Sequence, residues 1–68
     1  MVNGLKIRDL REREGLSTVE FAEKVGASQP MISLVERGYK NPSVELLARI
    51  ADYFDITVDD LLRKESTA

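Results

Sequence analysis

Residues 18–37 read TVEFAEKVGASQPMISLVER, and the spacing of small, glycine and apolar residues within them decides the fold. Phe21 and Val25 lie four apart on one helix, Ile32 and Val35 three apart on the next, so each helix offers one apolar stripe. Ala22 stands where the two helices would cross, and its small side chain lets the backbones approach. Gly26 follows four residues later, where a tight turn needs a positive φ. Small, glycine, apolar and apolar at offsets 0, +4, +10 and +13 is the spacing of a helix-turn-helix. An ordinary helical hairpin also uses glycine and apolar stripes, but several positions matching together favour the helix-turn-helix.

Outward from this unit, punctuation marks three more helices. The first is expected from Gly4 to Glu14, with Ile7 and Leu10 at helical spacing and Gly15 as its stop. Ser17-Thr18-Val19-Glu20 reads as a capping box opening the second helix, which ends at Val25. Ser28 is the expected N-cap of the third, which ends before Gly38. Pro42-Ser43 opens a fourth, whose Val44, Leu47, Ala48, Ile50, Ala51 and Phe54 are expected to form a broad apolar face. Thr57 caps a short fifth helix with Val58, Leu61 and Leu62. Apolar–polar alternation never exceeds four residues, so the chain is read as all-α.

Sixty-eight residues make one small domain, and a chain this short buries only ~60% of its unfolded surface. A helical core is within reach; a deep substrate cleft is not. The chain has no Cys and no His, which excludes thiol and imidazole catalysis and the usual zinc sites. No enzyme activity, metal or cofactor is expected. No apolar run approaches the ~20 residues of a membrane span, and MVNGLKIRDL lacks the apolar stretch of a signal peptide. A cytoplasmic location is the default expectation. The net charge of −2 divides unevenly, +1 over residues 1–40 and −3 over residues 41–68. A polyanion would therefore be met by the first part of the chain.

The sequence resembles the Cro/cI-like (Xre) family of bacterial and phage DNA-binding domains over residues 4 to 63. The likeness is carried by Gly15-Leu16-Ser17, Phe21-Ala22-x-x-Val25-Gly26, Ile32-Ser33-x-x-Glu36-Arg37-Gly38, Asn41-Pro42-Ser43 and Ile50-Ala51. The resemblance implies a compact five-helix bundle of the phage-repressor type, with the helix-turn-helix on helices 2 and 3. Residues 1–63 would form this domain and residues 64–68 a short C-terminal tail. It implies that helix 3 enters the major groove of double-stranded DNA. It also implies a structural ion pair between Arg11 and Glu36.

With Ile32 and Val35 inward, the outward stripe of helix 3 holds Gln29, Pro30, Ser33, Leu34 and Arg37. Gln29 is the first candidate for reading a base, since its amide matches adenine N6 and N7 together. Ser33 suits a base edge or a phosphate. Pro30 occupies the first turn, where its missing N–H has no intrahelical partner, yet it disfavours the α conformation at Gln29 and is expected to loosen the helix start. Pro30 and Leu34, flanked by Met31, form an apolar strip suited to thymine methyl groups or to a protein partner. Thr18, Ser28, Met31, Arg37, Lys40 and Asn41 are the expected phosphate-contacting set. Thr18 stands at a helix N-terminus, which favours anions, in a place where similar proteins commonly carry Gln.

The function so implied is that of a sequence-specific DNA-binding transcriptional regulator, a repressor on a near-palindromic operator. The rival is a protein-interaction module of antitoxin or antirepressor type. Similar proteins dimerise on two-fold sites, so a homodimer is expected through helices 4 and 5. Leu46 and Tyr53, seven apart, are its candidate contacts, with Ile56, Val58 and Leu62 nearby. Core packing is the alternative role for the last three. Asp59-Asp60 would repel a symmetry mate unless turned to water.

Overall fold

A computed structural model describes residues 2–62. It holds five helices in order: α1 (Gly4–Arg13), α2 (Thr18–Val25), α3 (Gln29–Glu36), α4 (Val44–Phe54) and α5 (Val58–Leu62). No strand occurs among the described residues. The proposed tail, residues 64–68, lies outside them, as does Arg63 at the end of the proposed domain.

Each helix begins on a side chain that satisfies one of its orphan N–H groups. Asn3 accepts from the Lys6 amide, Ser28 from that of Met31, and Ser43 from that of Leu46. Ser17 and Glu20 form the reciprocal capping box. Thr57 and Asp60 form a second one, in which Asp60 reaches back to the Thr57 amide. The Asp60 carboxylate is therefore engaged in starting α5.

Four helix ends close alike, with a residue beyond the end bonding the carbonyl five positions back. The donors are Leu16, Ala27, Tyr39 and Ile56. This closure needs a left-handed residue before the donor. Gly26 supplies it between α2 and α3 at φ +70, and at the end of α4 Asp55 adopts φ 57.

The core joins Ile7 of α1, Phe21, Ala22 and Val25 of α2, and Ile32 and Val35 of α3 to Leu46, Leu47, Ile50, Ala51 and Leu61. α3 packs on α1 and α2, α4 on α2 and α5, and α5 on α1. The Asn3 N–H donates to the Leu61 carbonyl at 2.7 Å, joining the start of α1 to α5.

Two expectations for α4 need correction. Leu46 is only 4% exposed and belongs to the core, so it is not a dimer contact. Val44 and Ala48 point to solvent instead of joining the apolar face. The inward stripe is Leu46, Leu47, Ile50, Ala51 and Phe54, positions i, i+1, i+4, i+5 and i+8. Val44 and Ala48 fall together beyond one edge of it. Ile56 and Val58 are half-buried against the core, whereas Tyr53 and Leu62 retain exposed surface.

Candidate nucleic-acid interface

The surface of interest is built by the starts of α2 and α3, which the Gly26 turn brings side by side. Ile32 and Val35 are fully buried, and their inward stripe fixes what α3 shows to solvent. Pro30, Leu34 and Arg37 are exposed, and Gln29 and Ser33 are half-buried. Helix α3 starts at Gln29 with Pro30 in its first turn. The Ser28 cap bonds the Met31 amide, so Pro30 interrupts no bond and the expected loosening is absent.

Gln29 and Thr18 meet. The Gln29 Nε2 donates to Thr18 Oγ1 at 3.1 Å, linking the first residues of the two helices. A primary amide has two N–H groups and one carbonyl oxygen. One N–H is committed to Thr18, leaving Oε1 and the second N–H for another partner. Thr18 accepts through its oxygen and keeps its own O–H as a donor.

The other candidates differ in what they can offer. Ser28 accepts from Met31 and retains its hydroxyl proton. Met31 does not fit its assigned role: its amide is bonded to Ser28 and its thioether is not a donor. Part of its side chain packs on the core, so it has nothing with which to hold a phosphate. Arg37 and Lys40 are exposed and form no ion pair among the described residues. The Asn41 carbonyl oxygen accepts from the Val2 amide at 3.4 Å, which leaves its NH2 group as the donor.

Arg11 and Glu36 lock α1 to α3 behind this surface. Nε of Arg11 donates to Glu36 Oε2 at 2.7 Å and Nη2 to Oε1 at 3.0 Å, while Nη1 donates to the Leu16 carbonyl at 2.7 Å. Both residues are buried. The hydrogen bonds to Glu36 hold the Arg11 guanidinium above its ordinary pKa, against the opposing effect of burial. In the α2 capping box, the Ser17 amide donating to Glu20 holds that carboxyl below its ordinary value.

Gly4 makes the close approach possible, a role beyond the helix start expected of it. A Cβ at Gly4 would collide with the backbone oxygens of Val35 and Glu36. Glycine as the first helical residue, despite poor propensity, was the available signal. Arg8 and Arg13 read in the sequence equally well as solvated helix-surface charges or as contacts. With Leu5 and Tyr39 they border an open groove between α1 and α3 that continues to Thr18, Ser33 and Arg37.

The chain matches the helix-turn-helix family over residues 7–61. It is 42% identical over 57 residues to the transcriptional regulator DdrOP3 of Deinococcus deserti, covering 84% of this chain and 44% of the relative. It is 37% identical over 60 residues to the regulator AnsR of Bacillus subtilis, covering 88% of this chain and 52% of that one. The chain thus spans about half the length of these relatives. Among solved structures, the biofilm master regulator SinR in complex with DNA superposes with a TM-score of 0.80 at 34% identity, covering 88% of this chain and 97% of the SinR chain in that structure. The P22 c2 repressor bound to a synthetic operator gives a TM-score of 0.86 at 27% identity, covering 93% and 96%. The paired α2 and α3 starts, the Gly26 turn and these likenesses agree: the chain belongs to the Cro/cI-type helix-turn-helix family.

Proposed function

We propose that this chain is the DNA-binding unit of a transcriptional regulator, acting in the cytoplasm as a repressor on a near-palindromic operator. The observation that carries the reading is the Thr18–Gln29 bond at 3.1 Å. It orients an amide at the start of α3 and leaves a donor and an acceptor for a base edge in the major groove. Adenine matches that pair. Thr18, Ser28, Arg37, Lys40 and Asn41 hold the phosphates on either side. Ser33 contacts a base edge or the backbone, and Pro30 and Leu34 meet thymine methyl groups. SinR and the P22 c2 repressor, with the same fold, have been solved on DNA.

Selection from random duplex DNA tests this reading, with an enriched motif expected. Gln29→Ala should relax one base preference by ~1–3 kcal/mol. Arg37→Ala should weaken all sequences alike and reduce the salt slope by ~0.9. An unenriched pool would remove the DNA reading.

A protein partner is the second reading. SinR is also solved in complex with SinI, so this fold occurs in proteins with protein partners. Leu34, 39% exposed, and Pro30 would be the contact. An unenriched pool would favour it, whereas a motif whose enrichment is unaffected by Gln29→Ala and Arg37→Ala would mean that the reading face lies elsewhere on the chain.

A further inference from the structure

We infer that the groove between α1 and the C-terminal end of α3 is a second phosphate track, carrying one DNA strand past the reach of the helix-turn-helix. The inference rests on the DNA-binding reading and adds a surface to it.

Charge is the first argument. The chain as a whole is −2, yet five of its ten Lys/Arg residues line this groove against two of its twelve Asp/Glu. Arg11 and Glu36 are spent on each other, which leaves Lys6, Arg8, Arg13 and Arg37 facing Asp9. Such a concave surface with a net positive lining raises the local attraction for a polyanion.

The state of those cations is the second. Arg8 pairs with Glu12 at 3.3 Å and Arg13 with Asp9 at 3.0 Å, and every partner is more than half exposed. Exposed i,i+4 pairs contribute only ~0.3–0.5 kcal/mol. Trading a carboxylate for a phosphate therefore costs little, and both arginines can turn outward.

The third is the apolar lining. Leu5 is 72% exposed and Tyr39 76%, and both border the same groove. Neither contributes to the core. A sugar–phosphate strand presents apolar deoxyribose faces beside its charges. Leu5 and the Tyr39 ring suit the sugars, and the Tyr39 hydroxyl is a donor for a phosphate oxygen. The groove is continuous with Thr18, Ser33 and Arg37, so a strand anchored there has a direct path into it.

The test uses the full chain and the duplex enriched by selection, with affinity measured across salt concentrations and hydroxyl-radical footprints of each variant. Arg8→Gln/Arg13→Gln should lower the log–log salt slope by ~0.9 for each phosphate lost and shorten the footprint on one strand, with the selected motif unchanged. Arg8→Lys/Arg13→Lys should keep the slope. Lys24→Gln/Arg49→Gln removes the same charge away from the groove and should leave slope and footprint as they were. The inference is overturned if the groove pair matches wild type while Arg37→Ala still lowers the slope. It is equally overturned if the control pair lowers the slope as much. Should the wild-type chain enrich no duplex, the DNA reading itself falls and the track with it.

Discussion

The Arg11–Glu36 pair separates the strength of an interaction from the cost of interrupting it. Two charges share a buried site with two direct hydrogen bonds, and a third N–H reaches the Leu16 carbonyl. Removing one partner strands the other, so Arg11→Met or Glu36→Leu alone should cost ~3–5 kcal/mol. The double variant should recover most of that loss, because an apolar pair of similar size carries no desolvation penalty. Urea unfolding of the two single variants and the double variant checks this, and strictly additive losses would contradict it. The Arg11 pKa is raised above the already high arginine range, so its contribution is complete throughout the neutral range and this guanidinium adds no pH dependence there. Gly4 is the other residue with no tolerance. Gly4→Ala would place a methyl against the backbone oxygens of Val35 and Glu36, where α1 must shift. Overpacking of this kind costs ~1–3 kcal/mol, read as a fall in melting temperature, even though Ala is the better helix former.

At the scale of elements, the helices depend on their caps, and the caps give a pH signature. The Glu20 carboxyl is held below its ordinary value of 4.5 by the Ser17 amide. A carboxyl whose folded pKa is lowered contributes stability above its unfolded value and loses it as pH falls through the folded one. Glu20→Gln should therefore leave the chain less stable at neutral pH, with the difference from wild type shrinking on acidification below about 4.5. Thermal melts at stepped pH values measure that convergence. A second prediction concerns Asp55, which closes α4 in the left-handed region with a negative charge at the helix C-terminus. Asp55→Asn keeps the tolerance for positive φ and removes the charge, for a gain of ~0.3–1 kcal/mol in urea unfolding.

These same caps explain what was legible in the sequence. Ser17, Ser28, Ser43 and Thr57 announce helix starts because a side-chain oxygen there has one local task. Gly15, Gly26 and Gly38 announce ends because positive φ is cheap for glycine. Asp55 does the same work without the signal. What escaped was tertiary. Leu46 and Tyr53 share a stripe by spacing alone, yet Leu46 packs into the core while Tyr53 leans on the rings of Phe21 and Phe54 at its edge. The Thr18–Gln29 bond joins residues eleven apart and depends on the angle of the turn, which no local pattern encodes. The α1 groove depends on how closely Gly4 lets α1 approach α3.

For the whole molecule, the uneven charge opposes self-association to DNA binding. The first forty residues carry +1 and the remainder −3. Once Leu46 is assigned to the core, Tyr53 and Leu62 are the exposed apolar contacts left on the proposed dimer face, with Ile56 and Val58 half-buried behind them. That face is small, and it lies in the acidic part of the chain. Two copies meeting there bring like charges together, at a cost that salt screens over ~10 Å at 0.1 M. DNA binding has the opposite sign, because added salt competes with the phosphates. Dimerisation of the free chain should therefore strengthen between low and moderate salt while affinity for the selected duplex falls. Sedimentation equilibrium at two salt concentrations, run alongside the binding titrations, reads both trends. Tyr53→Glu should abolish the dimer at either salt and weaken binding to a two-half-site duplex far more than to a single half-site. A chain that stays monomeric at high micromolar concentration, with and without the duplex, would leave each half-site to be read alone.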